Sequence, residues 1–289
     1  VILISAEELL KSEIPIIDKW LDDLLPAETE PPQTIHRAMR YSVLSGGKRL
    51  RPALAIIAFR RFGGEGDRIY PPACALELIH AYSLIHDDLP SMDNDDVRRG
   101  KPTNHKVFGE AIAILAGDAL HALAFRNLAE AGDIRIVADV ASAIGTRGLV
   151  GGQVFDLEAE DTEPTAEILE GIHRGKTAAL IAVSLRMGAR LAGADDEDVD
   201  AVSAYGEKIG LAFQIIDDIL DITADPKKLG KPVGSDEEHN KATYPRLFGI
   251  ERSRQIAEEL IASAKASLGD DPNNEELHAV ADFILRRAY

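Results

Sequence analysis

The chain is short of cysteine, aromatic residues and positive charge, and each shortage excludes something. Cys74 is the single cysteine, so an intramolecular disulfide is ruled out and a reducing compartment fits. Aromatics make up only 5% of 289 residues, while Ala, Leu and Ile abound; that balance favours helices packed on helices. Lys and Arg total 32 against 49 Asp and Glu, a net charge of −17. No basic stripe stands out to neutralise a phosphate backbone, so nucleic acid is excluded as a partner. No apolar run approaches the roughly 18 residues of a membrane span. Val1 to Ile4 is too short for a signal segment and meets Glu7 and Glu8 at once. No membrane span is expected, and the expected location is cytoplasmic.

What remains is helical periodicity, with no convincing series of alternating strands. Helices are expected over Ser5–Leu24, with Ser5 and Glu8 as a capping box, and over Thr34–Leu44 and Arg51–Phe62. A long apolar helix should run from Pro72 to the aspartates at 87 and 88, where Pro90 distorts or ends it. Further helices are expected over Glu110–Ala131, Ile134–Glu158, Thr165–Ala192 (interrupted near Gly171–Gly175), Glu197–Ile222, Arg252–Leu268 and Asn274–Ala288. Asp225–Thr243 reads as a mobile charged loop. No repeat or low-complexity linker divides the chain, so residues 1–289 are expected to form a single all-α domain.

Two acidic clusters stand in otherwise apolar segments: Asp87-Asp88-Leu89-Pro90-Ser91-Met92-Asp93 and Asp217-Asp218-Ile219-Leu220-Asp221. Buried carboxylates massed together are untenable by themselves. Divalent cations between the clusters would make them favourable, and oxygen donors with phosphate and water suit Mg²⁺. Asp217 and Asp221 stack one turn apart on a helix, Asp218 lies about 100° round, and Gln214 sits one turn below it. Asp87 and Asp93 are six apart, so the helix must break between them. Asn94, Asp95 and Asp96 are expected to face solvent or cap a loop. A calcium loop fits no register here.

Basic residues occur where a phosphate would need them. Gly46-Gly47-Lys48-Arg49-Leu50-Arg51-Pro52 offers close backbone approach and up to three cations at a helix start. Arg98 and Arg99 follow the first cluster, and His80 lies two turns before Asp87 on the same face. Lys176-Thr177 follows a glycine break, and Lys231 lies in the charged loop; each could close on a phosphate or stay at the surface.

Together these motifs resemble the short-chain trans-polyprenyl diphosphate synthases, the bacterial farnesyl and geranylgeranyl diphosphate synthases. The resemblance runs from about Ile35 to the C-terminal helix. It rests on Leu44 to Pro52, Ile79 to Pro90, Arg98 to Thr103, Leu115 to Leu120, Gly151-Gly152-Gln153, Lys176-Thr177, Phe213 to Asp221 and Leu229-Gly230-Lys231. It implies an antiparallel helical bundle around a deep central cavity (the isoprenoid synthase fold), in a homodimer. It also implies that Asp87, Asp88, Asp93, Asp217, Asp218 and Asp221 hold three Mg²⁺ on the allylic diphosphate. Arg98 would contact that diphosphate, with Lys176, Thr177, Gln214 and Lys231 completing the pocket. Gly47, Lys48, Arg51, His80 and Arg99 would hold isopentenyl diphosphate. The implied reaction is ionisation, condensation and elimination, with no nucleophilic Ser or Cys.

In this family a bulky residue five places before the first aspartate stops chain growth. Here that residue is Tyr82, with Ser83 beside it, about 7.5 Å of helix from Asp87. The expected product is therefore C15, farnesyl diphosphate. C20, geranylgeranyl diphosphate, is the alternative, because Ser91 to Asp96 and Gly100 to Gly109 read closer to plant and cyanobacterial C20 synthases. A terpene cyclase would lack Lys48, Arg51 and His80. A non-catalytic partner subunit would have lost aspartates from one cluster, and a purely structural acidic bundle explains none of the basic residues.

Overall fold

The computed structural model describes residues 6–159, 165–223 and 242–287. Ser5, Lys231 and most of the charged stretch 225–243 lie outside the described residues. The first half comprises α1 (Ala6–Leu24), α2 (Gln33–Val43), α3 (Leu50–Arg61), α4 (Tyr70–Asp87), α5 (Asn104–Phe108) and α6 (Glu110–Glu130). The second comprises α7 (Ile134–Ile144), α8 (Leu149–Ala159), α9 (Ala166–His173), α10 (Ala179–Ala192), α11 (Asp196–Thr223), α12 (Tyr244–Phe248), α13 (Ile250–Ser267) and α14 (Glu275–Arg286).

Two central helices carry the acidic clusters, and both are apolar on nearly every side. α4 packs on α3 and α6; α11 packs on α10 and α13. Leu76, Leu78, Ile79 and Ile85 of α4 and Ile209, Ile215, Ile216 and Ile219 of α11 are almost wholly buried, each worth roughly 1.5–3 kcal/mol of transfer from water. Proline falls in the first turn of α4, where a missing N–H breaks no intrahelical bond. The helix ends at Asp87, before Pro90, as the sequence requires.

Three local departures have identifiable causes. The stretch Ile134–Glu158 is two helices, because Gly145 takes an extended conformation (φ −76°, ψ −162°) and stops α7. The polar stretch after the first cluster forms a hairpin, β1 (Val97–Arg98) with β2 (Lys101–Pro102), in antiparallel register Val97 to Pro102. Strands of two residues are too short to show alternation. α12 is a single Pro-started turn capped by the Thr243 hydroxyl.

α6 is long and apolar enough to cross a membrane by length and composition, contrary to the expectation that no segment would be. Its Ala113, Ala116, Leu120, Ala124 and Leu128 are buried where it packs on α4 and α2, and a protein's core helices meet the same criterion.

Candidate active site

The first cluster is built by the way α4 ends. Asp87 is its last residue, and the chain turns through Leu89 to Asn94 so that the Asp93 N–H donates to the Asp87 carbonyl at 2.9 Å. This turn returns Asp93 to Asp87, which a straight helix would not do. Asp88 is buried, and burial pushes its carboxyl up to about 6 against the opposing Arg98 charge. Arg98 Nε donates to Asp88 at 2.7 Å and another guanidinium nitrogen reaches Asp95 at 3.4 Å. Lys106 pairs with Asp96 at 2.7 Å. Asp96 faces solvent as expected and Asp95 is partly exposed, and their ion pairs brace the hairpin that carries Arg98.

The second cluster lies on α11. Asp218 and Asp221 are buried, while the Asp217 side chain is about one-third exposed. Asp218 is held from three directions. Gln214 Nε2 donates to its Oδ1 at 3.0 Å, the Tyr244 N–H donates to its Oδ2 at 3.1 Å, and His173 Nε2 lies 3.5 Å away. Burial above all lowers the His173 imidazole to about 3, with nearby Lys176 adding to it; the ring is therefore neutral. It stacks on Tyr244 at 5.3 Å between centroids.

Between the clusters the helical ladder is broken by a π-turn, Arg174–Ala178, a distortion often found at functional sites. Two consecutive residues of this turn reach opposite ways. Lys176 Nζ is 2.7 Å from Asp156 and 4.0 Å from Asp87. Thr177 Oγ1 donates to Gln214 Oε1 at 2.8 Å, and Gln214 in turn holds Asp218. Neighbouring side chains thereby tie the two acidic walls to one mouth. Burial disfavours the Lys176 ammonium, but the Asp87, Asp156 and Asp93 carboxylates outweigh it and its pKa is raised. Lys176 and Thr177 are accordingly not surface residues.

The basic residues gather beside the clusters: Arg98 pairs with Asp88, and Lys48 and Arg51 lie near enough to Asp217 to feel its charge. His80, Arg98 and Arg99 line a cleft with Ser45, Asp88 and Thr103. Arg51 is lowered by burial and by Arg99 despite nearby Glu77 and Asp217. Lys48 is lowered by partial desolvation and by Arg287. His80 lies well below its ordinary pKa because it is enclosed and faces Arg51, Arg99 and Arg98. One of the three cations expected from the Gly-Gly-Lys-Arg-Leu-Arg segment is withdrawn. Arg49 adopts φ +48° and turns inward, donating to Asp18 at 2.7 Å, Glu77 at 2.8 Å and the Val43 carbonyl at 2.8 Å. It braces the fold and leaves Lys48 and Arg51 for an anion.

Tyr82 is buried, but its ring leans on α6. It packs 5.0 Å from His121 and 5.8 Å from His86. It is a core aromatic facing a neighbouring helix, an arrangement that weakens its reading as a floor beneath the site. Ser83 turns its hydroxyl back to the His80 carbonyl at 3.0 Å.

Four residues that the sequence did not single out belong to the site: Asp156, His173, Tyr244 and Arg287. Asp156 stands five places after Gly151 in a largely apolar helix that also carries Gln153 and Glu158, which was a partly legible signal. Arg287 reaches Asp217 at 2.7 Å from the far end of the chain, and nothing in its local sequence marks it.

Comparison with known proteins agrees with this geometry. The Polyprenyl synthetase family model matches residues 32–280. The heterodimeric geranylgeranyl pyrophosphate synthase large subunit 1, chloroplastic, of Arabidopsis thaliana is 48% identical over 286 residues, covering 94% of this chain and 76% of its own. A geranylgeranyl diphosphate synthase of Cyanophora paradoxa is 46% identical over 281 residues, covering 94% of this chain and 93% of its own. The apo crystal structure of an FPP/GFPP synthase from Zymomonas mobilis shares the fold at TM-score 0.85 and 37% identity, covering 97% of this chain and 98% of that one. This chain belongs to the polyprenyl synthetase family of prenyl-transferring enzymes.

Proposed function

We propose that the chain condenses isopentenyl diphosphate with an allylic diphosphate in a Mg²⁺-dependent reaction and that its main product is the C20 compound, geranylgeranyl diphosphate. The observation that carries the reaction is the double reach of Lys176 and Thr177, which joins the two carboxylate clusters at one mouth.

The donor set suits the metal. Asp87, Asp88 and Asp93 with Asp217, Asp218 and Asp221 present only hard oxygen atoms. Among the described residues no three acidic, His or Cys side chains close on one point, so substrate phosphate and water would complete any coordination shell. Bound there, Mg²⁺ would offset the charge of the departing diphosphate. Arg98 and Lys176 stand at the first cluster to bind that group and steady it as the allylic C–O bond breaks. Lys48, Arg51 and Arg99 hold the second diphosphate. The homoallylic double bond then attacks the allylic carbocation, and a proton passes from the adjacent carbon to the released pyrophosphate. Neutral His80 can donate to a phosphate oxygen without adding charge. We place Lys231 with the allylic diphosphate on its motif alone.

The C20 assignment rests on the geranylgeranyl synthases at 46–48% identity and on Tyr82 leaning into α6. A C15 product is the second reading, favoured by a buried aromatic five places before Asp87 and by the FPP/GFPP synthase likeness. Incubation with labelled isopentenyl diphosphate, each allylic starter and Mg²⁺, followed by sizing of the dephosphorylated alcohols, decides between them. A C20 majority is expected. A C15 majority would install the second reading, and full turnover by Asp87→Ala or Asp217→Ala would sink the site. We further propose a homodimer. α6 exposes Ile114 and Leu115, and α8 exposes Val150, Val154 and Leu157, apolar area that a second copy would cover.

A further inference from the structure

A second hollow opens away from the carboxylate clusters, between α7, α10 and α11. Its volume is about 350 Å³, at the lower end of the range of small-molecule sites. Its lining is chemically divided. Ala143, Ala178, Ala179, Ala182 and Val183 form an apolar floor, and Arg147, Arg174 and Arg186 stand on the rim with the Ser142 and Ser203 hydroxyls. The lining carboxylates are Asp139 and Glu207, and Asp200 and Glu170 add to them on Arg186 and Arg174, so Arg147 is the lining cation left without an ion pair among the described residues.

The arginines differ in how far they are committed. Arg186 is 3.0 Å from both Asp139 and Asp200. Arg174 is 2.6 Å from Glu170 and 3.7 Å from Glu207. Arg147 is exposed and makes no ion pair among the described residues, so its five donors remain for a ligand.

The floor is the back of the π-turn. Ala178 is the last residue of that turn, next to Thr177 and two from Lys176. Elsewhere the turn has no slack. A Cβ on Gly175 would lie 2.7 Å from the Gly148 carbonyl, and one on Gly210 would lie 2.6 Å from the Ala178 Cα. Pressure on Ala178 and Ala182 from the hollow therefore passes into the segment that holds Asp156, Asp87 and Gln214.

We propose that this hollow is a second binding site, for a small amphipathic anion with a phosphate or diphosphate head and a short hydrocarbon tail, and that its occupancy adjusts the active-site contacts of Lys176 and Thr177. The head would sit on Arg147 and the Ser142 hydroxyl, because Ser203 already donates to the Val199 carbonyl at 2.5 Å, and the tail on the alanine floor. The site does not depend on whether the product is C15 or C20. Its occupant is either a short prenyl phosphate of the kind the enzyme itself handles or another alkyl phosphate.

Calorimetry on the full chain tests this, with Mg²⁺, isopentenyl diphosphate and an unreactive thio-analogue of the allylic substrate filling the active site. Octyl phosphate should then bind at one further site per chain, and Arg147→Glu should weaken it about tenfold, as loss and reversal of one charge-assisted contact would. Ala143→Leu, which fills the floor, should weaken it comparably while Arg147→Glu keeps wild-type basal turnover. Geranyl phosphate binding more tightly than octyl phosphate would support the enzyme's own substrate class as occupant; equal binding would support a general alkyl phosphate site. Saturating octyl phosphate should change kcat with little change in allylic KM, and Arg147→Glu should abolish the response. Binding that Arg147→Glu and Ala143→Leu leave untouched, or no binding at millimolar ligand, would overturn the site. Binding with no kinetic consequence would overturn the coupling to the π-turn.

Discussion

Arg287 places a guanidinium nitrogen 2.7 Å from a carboxylate oxygen of Asp217, with the same group lying over the Phe213 ring at 4.7 Å. The residue after α14 thus supplies countercharge to the most open carboxylate of the second cluster. An Mg²⁺ ion must compete with that guanidinium. Arg287→Gln should therefore lower the Mg²⁺ concentration at half-maximal rate, by about threefold for a partly exposed pair worth up to ~1 kcal/mol. Initial rates across a Mg²⁺ titration measure it; an unchanged or raised requirement would show that the pair does not compete with metal.

Lys176 is held between Asp156 and Asp87, and the two partners make separable predictions. Lys176→Met removes a cation from the departing diphosphate and should lower kcat by about 10²-fold, the usual loss for one preorganised group. Asp156→Asn keeps the shape but frees the ammonium to swing. It should lower kcat by about tenfold and leave the isopentenyl KM near wild type. Steady-state kinetics with each substrate varied in turn checks both. A loss in Asp156→Asn that appears only in melting temperature would make Asp156 a structural residue.

Much of this site was legible, for reasons visible in particular residues. The spacing of Asp217 and Asp221 defines one helix face, and Pro90 announces the break that lets Asp93 return to Asp87. Partners joined through tertiary packing were not legible. Asp156 and Lys176 are 20 residues apart, and their meeting depends on how α8 crosses the π-turn. Arg49 and Arg51 look equivalent in sequence, and only the positive φ at Arg49 turns one into the core. Tyr82 has a readable height on α4, but height does not say which neighbour its ring will face. That neighbour proves to be His121 on α6. The break between α7 and α8 was signalled by Gly145 and Gly148, but the apolar periodicity on either side masked it.

Cys74 tests the packing of α4 directly. The thiol is fully buried, near the Ile17 carbonyl at 3.9 Å, and burial pushes its pKa far above the ordinary range. Thiolate is the reactive form, so raising the pH to 8 should not expose it. A chromogenic disulfide reagent at pH 8 should leave the native protein unlabelled and should label the single cysteine after denaturation. Rapid labelling of the native protein would mean that α4 opens locally against α1.

Gly47 has φ +141°, and a Cβ there would lie 2.8 Å from Arg99 Nη1 and 3.0 Å from Cζ and Nη2. The obstacle is the far end of a flexible side chain, so Gly47→Ala should fold while displacing Arg99 from the cleft. Loss of one charge-assisted contact to a phosphate should raise the isopentenyl diphosphate KM by about tenfold and leave the allylic KM near wild type. The strained backbone supplies a rival cause, because alanine adopts this conformation at a cost. A double-mutant cycle separates the two. If displacement of Arg99 is the whole effect, Gly47→Ala in an Arg99→Ala background should add nothing to the KM. An added loss of similar size would assign the effect to backbone strain, and Arg99 would no longer explain why glycine stands at this position.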